Sequence, residues 1–109
     1  MNGSELLTDL PGEELVRQGL ADVAAGRRTQ NACLVSIASP RLVRAGVLPS
    51  DAPLIEEAEL ALYRLLRAEG GDAYSRYNSL LRELVSFEQA LDRRQTKTLR
   101  EEQKLGKLK

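Results

Sequence analysis

Histidine is absent from these 109 residues. With it go the commonest general acid/base, the commonest metal ligand and every histidine-based catalytic triad. Cysteine occurs once, at Cys33. One cysteine without histidine cannot supply the four soft ligands of a structural zinc site. It also forbids an intrachain disulfide, which fits a reducing compartment. Cys33 sits inside an apolar run and reads as a small buried hydrophobe rather than a reactive thiol. Aromatic residues are scarce, three tyrosines and one phenylalanine, so the core must be built from leucine, alanine and valine. No stretch reaches about 18 apolar residues, and the start has no charged segment leading into an apolar one. Neither a membrane span nor a secretory leader is therefore expected, and the expected location is cytoplasmic. The glycines form no G-x-x-x-x-G-K-[ST] loop and no G-x-G-x-x-G after a strand. No cofactor is expected.

Carboxylates are plentiful but wrongly spaced for chemistry. Glu13-Glu14, Glu56-Glu57-Glu59 and Glu101-Glu102 lack the alternation around glycine that a calcium loop needs. A helical di-metal site would pair Glu-x-x-His motifs, which cannot exist here. The clusters read as solvated helix faces, and no metal is expected. An enzyme would have to work with Glu, Asp, Arg, Tyr, Ser or Lys alone, and no spacing supports one.

Total charge is zero, but it is not spread evenly. Residues 1–92 carry 9 Lys+Arg against 14 Asp+Glu, giving −5, and residues 93–109 carry 7 against 2, giving +5. The sequence therefore divides into a helical bundle domain over 1–92 and a basic tail over 93–109, either a frayed helix or disordered.

What the chain does have is helical periodicity, punctuated by proline, glycine and capping residues. Ser4 can cap one short turn carrying Leu6 and Leu7. Pro11, Glu13 and Glu14 open a helix that Gly26 closes. Gly19 lies in the middle of its apolar face, where only close approach of a neighbouring helix would offset glycine's cost of about 1 kcal/mol. Thr29 caps the next segment, whose apolar residues point in all directions, as in a fully buried helix. A buried strand competes, but nothing else in the chain reads as its partner. Ser39-Pro40 restarts a short helix ending at Gly46. Asp51 is placed as the cap of a helix over 53–69, and Asp72 as the cap of the last helix, after Gly70-Gly71. That junction predicts an antiparallel hairpin. The expected fold is all-α, a compact bundle of four to five helices with the 29–38 helix at its centre.

The 53–69 segment carries grease on two sides. Leu54, Ile55, Ala58, Ala61, Leu62, Leu65 and Leu66 form one broad face. Leu60 and Tyr63 fall opposite, in a stripe with Glu56 and Arg67. Single exposed apolar residues are ordinary. Two on one stripe, each contributing about 1.5–3 kcal/mol if buried, point instead to a docking strip. Tyr74, Arg76, Tyr77 and Asn78 form the densest polar-aromatic cluster and suit an interface hot spot. The preferred reading is plainer: both tyrosines belong to the helix's apolar stripe of Tyr74, Tyr77, Leu80, Leu81, Leu84, Val85, Phe87 and Leu91, and bury their rings with the hydroxyls reaching water. Glu88 falls within that apolar arc, and the preferred reading is that the helix leaves the core at this point. The functional alternative is a buried ion pair that fixes a partner's register, with Arg41, Arg44 and Arg64 as possible donors.

Two functions from different classes follow. The first is a non-catalytic protein–protein interaction module, a homo-oligomer or a small helical partner of a larger protein. The alternative is a nucleic-acid accessory protein whose tail, through Arg93, Arg94, Lys97 and Arg100, contacts phosphates without sequence preference. The tail contains no aromatic residue to stack on bases, and Glu101 and Glu102 interrupt its charge.

Overall fold

The computed structural model describes residues 3–107, with side chains described from 5 to 102. Six helices form within it: α1 (Gly3–Leu7), α2 (Glu13–Ala24), α3 (Gln30–Ile37), α4 (Ser39–Arg44), α5 (Ala58–Glu69) and α6 (Ala73–Lys107). Among the described residues there is no strand, so the 30–37 segment is a helix.

That helix forms because Thr29 starts it. Its hydroxyl accepts the Ala32 N–H at 3.1 Å, satisfying one of the donors a helix start leaves open. Ala32, Cys33, Leu34 and Val35 follow consecutively and are all fully buried. Four successive residues sample every side of a helix, so α3 is enclosed by its neighbours. Chief among these are α2 and α5, with α4 and α6 also touching it.

Gly19 lets α2 come close. A Cβ there would collide with the Asn31 carbonyl oxygen and with Val35 Cγ2. Val16 and Val23 flank it and are buried. The helix ends where Gly26 turns left-handed at φ 75°.

The fifth helix starts later than its apolar pattern suggests. Residues 53–57 are not helical, and Glu57 is left-handed at φ 49°. The Ile55 N–H donates to the buried Ser36 hydroxyl at 3.0 Å, and that hydroxyl donates in turn to the Ala32 carbonyl at 2.9 Å. The chain is thus stitched onto α3 instead of winding into a helix. Two expectations fall. Asp51 caps nothing, and Glu56 lies in a turn, off the helical stripe that carries Leu60, Tyr63 and Arg67. Ile55 is still buried, while Leu54 is 39% exposed.

Gly70 and Gly71, both at positive φ, lead into α6. Asp72 caps it: its carboxylate accepts the Ser75 N–H at 3.1 Å and the Ser75 hydroxyl at 2.8 Å. The apolar face of α6 buries Leu84, Phe87 and Leu91. The helix does not stop at Asp92. It runs 35 residues, about 52 Å at 1.5 Å per residue, and accounts for most of the molecule's 59 Å long axis. Beyond Asp92 the helix still touches the body. Arg94 donates through Nη1 to the Leu6 carbonyl at 3.0 Å and to the Thr8 carbonyl. Those oxygens belong to the end of α1 and the turn after it, which no helical N–H satisfies. Leu6 and Leu7 are buried beneath. Among the described residues no helix is long and apolar enough to cross a membrane.

Candidate functional site

An open groove of about 940 Å³ lies where the end of α3, the start of α5 and the start of α6 meet. Its wall is a pair of tyrosines. Tyr63 of α5 and Tyr77 of α6 pack edge to face, with ring centroids 5.7 Å apart and planes at 89°. This is the arrangement that ring quadrupoles favour. Ser36 and Ile37 of α3 contribute from below.

Over this wall stand two side chains that the fold leaves uncovered. Leu60 is 43% exposed and Tyr74 is 67% exposed. Both line the groove, although they belong to different helices. Each lies roughly one turn from a member of the tyrosine pair, Leu60 before Tyr63 and Tyr74 before Tyr77, so the helical register aligns all four.

The groove's charge is of one sign. Glu57 and Glu59 line it and no basic residue does. Glu56 sits in the turn beside Glu57. Burial, followed by the negative charge of Glu59, pushes the Tyr77 hydroxyl above the usual tyrosine pKa. Tyr77 is thus a neutral phenol at neutral pH, fit to donate a hydrogen bond but not to act as a base.

No family model, curated protein or solved structure matches this chain.

Of the residues singled out from sequence, Leu60, Tyr63, Tyr74 and Tyr77 converge on the groove, while Arg67, Arg76 and Asn78 stay outside it. Arg76 donates to Glu69 at 2.6 Å, and Glu69 also accepts from Gln30 at 2.6 Å. Arg76 therefore ties the α5–α6 junction together. Asn78 lines a separate shallow hollow with Leu81 and Val85. Arg67 is exposed.

Glu88 does meet an arginine. Arg41 of α4 donates through Nη1 to Glu88 at 2.8 Å and through Nε to Asp92 at 3.0 Å. The Glu88 side chain is only 14% exposed, so one guanidinium serves a shielded carboxylate and a wetter one a turn later. The Asp92 and Glu88 hydrogen bonds raise the Arg41 pKa further, keeping it charged. The pair fastens α4 to α6.

Sequence reasoning passed over Asp22, 3% exposed on α2. Its carboxylate accepts from the Thr29 hydroxyl at 2.6 Å, Arg27 Nε at 2.8 Å and Gln18 Nε2 at 3.0 Å. The Thr29 and Arg27 bonds hold its pKa below the usual carboxylate range. Thr29 is thus shared between the cap of α3 and the carboxylate of α2. Gln18 lies one turn earlier on the same helix. Cys33 is fully buried, and burial pushes its thiol pKa up. Among the described residues no three Asp, Glu or Cys side chains cluster as metal ligands would.

Proposed function

We propose that this chain is a non-catalytic protein–protein interaction module, acting as a homodimer or as the small helical partner of a larger protein. Leu60, Tyr63, Tyr74 and Tyr77 form its docking surface. One observation carries the reading: two helices each leave a large apolar or aromatic side chain exposed over the same concave wall. Tyrosine is enriched in interface cores and hot spots, and Leu60 adds apolar area beside the tyrosines, while Glu57 and Glu59 supply charge of one sign. We also read α5 and α6 as the antiparallel hairpin of a four- to five-helix bundle. Support comes from Tyr63 and Tyr77, which touch and lie equally far along the chain from Gly70. A reducing, cytoplasmic setting suits a lone buried thiol.

Sedimentation equilibrium tests the surface. In the homodimer branch the wild-type chain sediments as a dimer, and Leu60→Asp makes it a monomer without loss of helicity. A dimer that survives Leu60→Asp and Tyr74→Ala would place the interface elsewhere. A wild-type monomer restricts the surface to a foreign partner.

A further inference from the structure

We infer that the outer face of α6 is a binding ridge for the phosphates of double-stranded DNA, at the opposite end of the helix from the groove. Because α6 continues unbroken past Asp92, the tail's charges acquire an order that no disordered chain would give them. At ideal pitch Arg93, Lys97 and Arg100 fall within about 60° of one another. Arg82 lies on the same line nearer the body. Between these cations the line is filled by Ser86 and Gln89 alone. Glu102 falls on the far side, and Glu101, one turn after Lys97 and about 40° from it, borders the ridge on one side only. Arg94 faces the other way and is held by α1. Arg82, Arg93, Lys97 and Arg100 are all exposed, whereas Leu84, Phe87 and Leu91 on the reverse of the helix are buried. The chain's lysines, at 97, 104, 107 and 109, all belong to this stretch.

The chemistry of the ridge selects its occupant. From Arg93 to Arg100 its cations recur about every 5 Å along a straight rod, which suits a regular polyanion. It has no apolar or aromatic residue, unlike the core of a protein interface, where lysine is depleted. A membrane-surface helix would need an apolar face free beside the charges; that face of α6 is spent on the body as far as Leu91, and past it Leu99 is the one exposed large apolar side chain among the described residues. The ridge offers no ring for unstacked bases, which disfavours single strands. A bare helix about 10–12 Å across fits the B-form major groove, about 12 Å wide, and does not fit the narrow A-form one. The remainder of the molecule, at −5 over residues 1–92, repels phosphate and confines contact to the ridge.

Fluorescence anisotropy with a short labelled DNA duplex of arbitrary sequence tests this on the full chain. Three phosphate contacts give a log–log salt slope of about −3 or steeper, so binding weakens roughly 40-fold between about 50 and 200 mM salt. The triple variant Arg93→Gln, Lys97→Gln, Arg100→Gln should keep its helicity by circular dichroism. Its salt slope should fall by about 3, and its affinity at low salt should drop at least tenfold, roughly one slope unit per lost contact. A matched variant, Arg28→Gln, Arg44→Gln, Arg64→Gln, removes three exposed charges from the body and should bind within about twofold of wild type if the ridge alone carries the contact. Equal loss in both variants overturns the proposal, because net charge would then be the cause. So does the absence of wild-type binding at low salt, salt-insensitive binding, or a preference for single strands. Binding to phosphatidylserine vesicles without binding to the duplex overturns it in favour of a membrane.

Discussion

α3 and the outer half of α6 are the extremes of this molecule. α3 is eight residues long and mostly enclosed, and its environment comes from helices on several sides. Past Asp92, α6 keeps few contacts: Arg94 bonds to the end of α1, Gln95 and Thr98 are half-buried, and the other described side chains are exposed. Both are helices, yet different physics holds them. α3 has almost no intrinsic reason to be helical: two of its eight residues are β-branched, and it has one side-chain cap. Packing imposes its conformation. The outer half of α6 is rich in good helix formers and propagates from an already nucleated helix, where each further residue adds a hydrogen bond at little cost. A change in α3's surroundings should therefore be felt by the whole fold, and a change on α6's outer face by almost nothing except a ligand.

The largest effect should come from Gly19→Ala. On helix propensity alone the substitution would stabilise by about 1 kcal/mol. The added methyl meets the Asn31 backbone carbonyl and Val35, and backbone cannot swing aside as a side-chain end can. Overpacking of this kind costs typically 1–3 kcal/mol, so the net expectation is a loss of up to about 2 kcal/mol in urea unfolding. A stabilised Gly19→Ala would mean that α2 and α3 stand further apart, and the contrast with α6 would weaken.

Next comes acid. Asp22 sits beside α3, and its pKa is lowered first by the Thr29 hydroxyl and then by Arg27. Glu13, bonded to Arg17 and the Asp9 N–H, and Asp72, bonded to Ser75, are lowered as well. A carboxylate whose folded pKa lies below its unfolded value stabilises the fold fully above the unfolded value, about 4, and loses that contribution as pH falls through the folded one. Stability should therefore drop as pH goes from about 5 towards 2, because the unfolded chain binds protons first. Asp22→Asn keeps the size of the side chain but removes the charge. It should lower the melting temperature at neutral pH and flatten the acid limb more than Asp72→Asn does. Equal effects at the two sites would place the acid sensitivity at helix caps in general, not around α3.

How much of this was legible depends on the range of the interaction. Signals between neighbours in sequence were readable: Thr29 and Asp72 as caps, Gly26 and Gly46 as stops, and Gly19 as a close approach. Glu88 could be flagged because one helix wheel placed a charge inside an apolar arc, although the wheel did not choose among three arginines. The start of α5 was misread because the pattern Leu54, Ile55, Ala58 is compatible with a helix. What overrides it is a bond between the Ile55 N–H and Ser36, nineteen positions apart. Asp22 was invisible for a similar reason: two of its three partners lie in the following loop and at the start of the next helix. The docking strip was half legible, since Leu60 and Tyr63 share a stripe, but their meeting with Tyr74 and Tyr77 needed the tertiary fold. The ridge on α6 depended on continuity. Without a helix through Lys107, the basic residues are only a composition.

The smallest and sharpest contrast lies within α6 itself. Arg93 and Arg94 are adjacent and identical, and they differ only in the 100° that separates consecutive helical residues. Arg94 donates to two carbonyls at the end of α1, whereas Arg93 is exposed on the outer line. Arg94→Gln should cost about 1 kcal/mol, the net worth of a partly exposed charged hydrogen bond. The loss should be local: amide exchange should quicken over residues 5–10, where α1 depends on this clamp, and stay unchanged in α3. Arg93→Gln should lie within about 0.5 kcal/mol of wild type and leave exchange over 5–10 untouched. If the two variants matched, the outer half of α6 would not be seated on α1, and the register that divides its clamp from its ridge would have no consequence in solution.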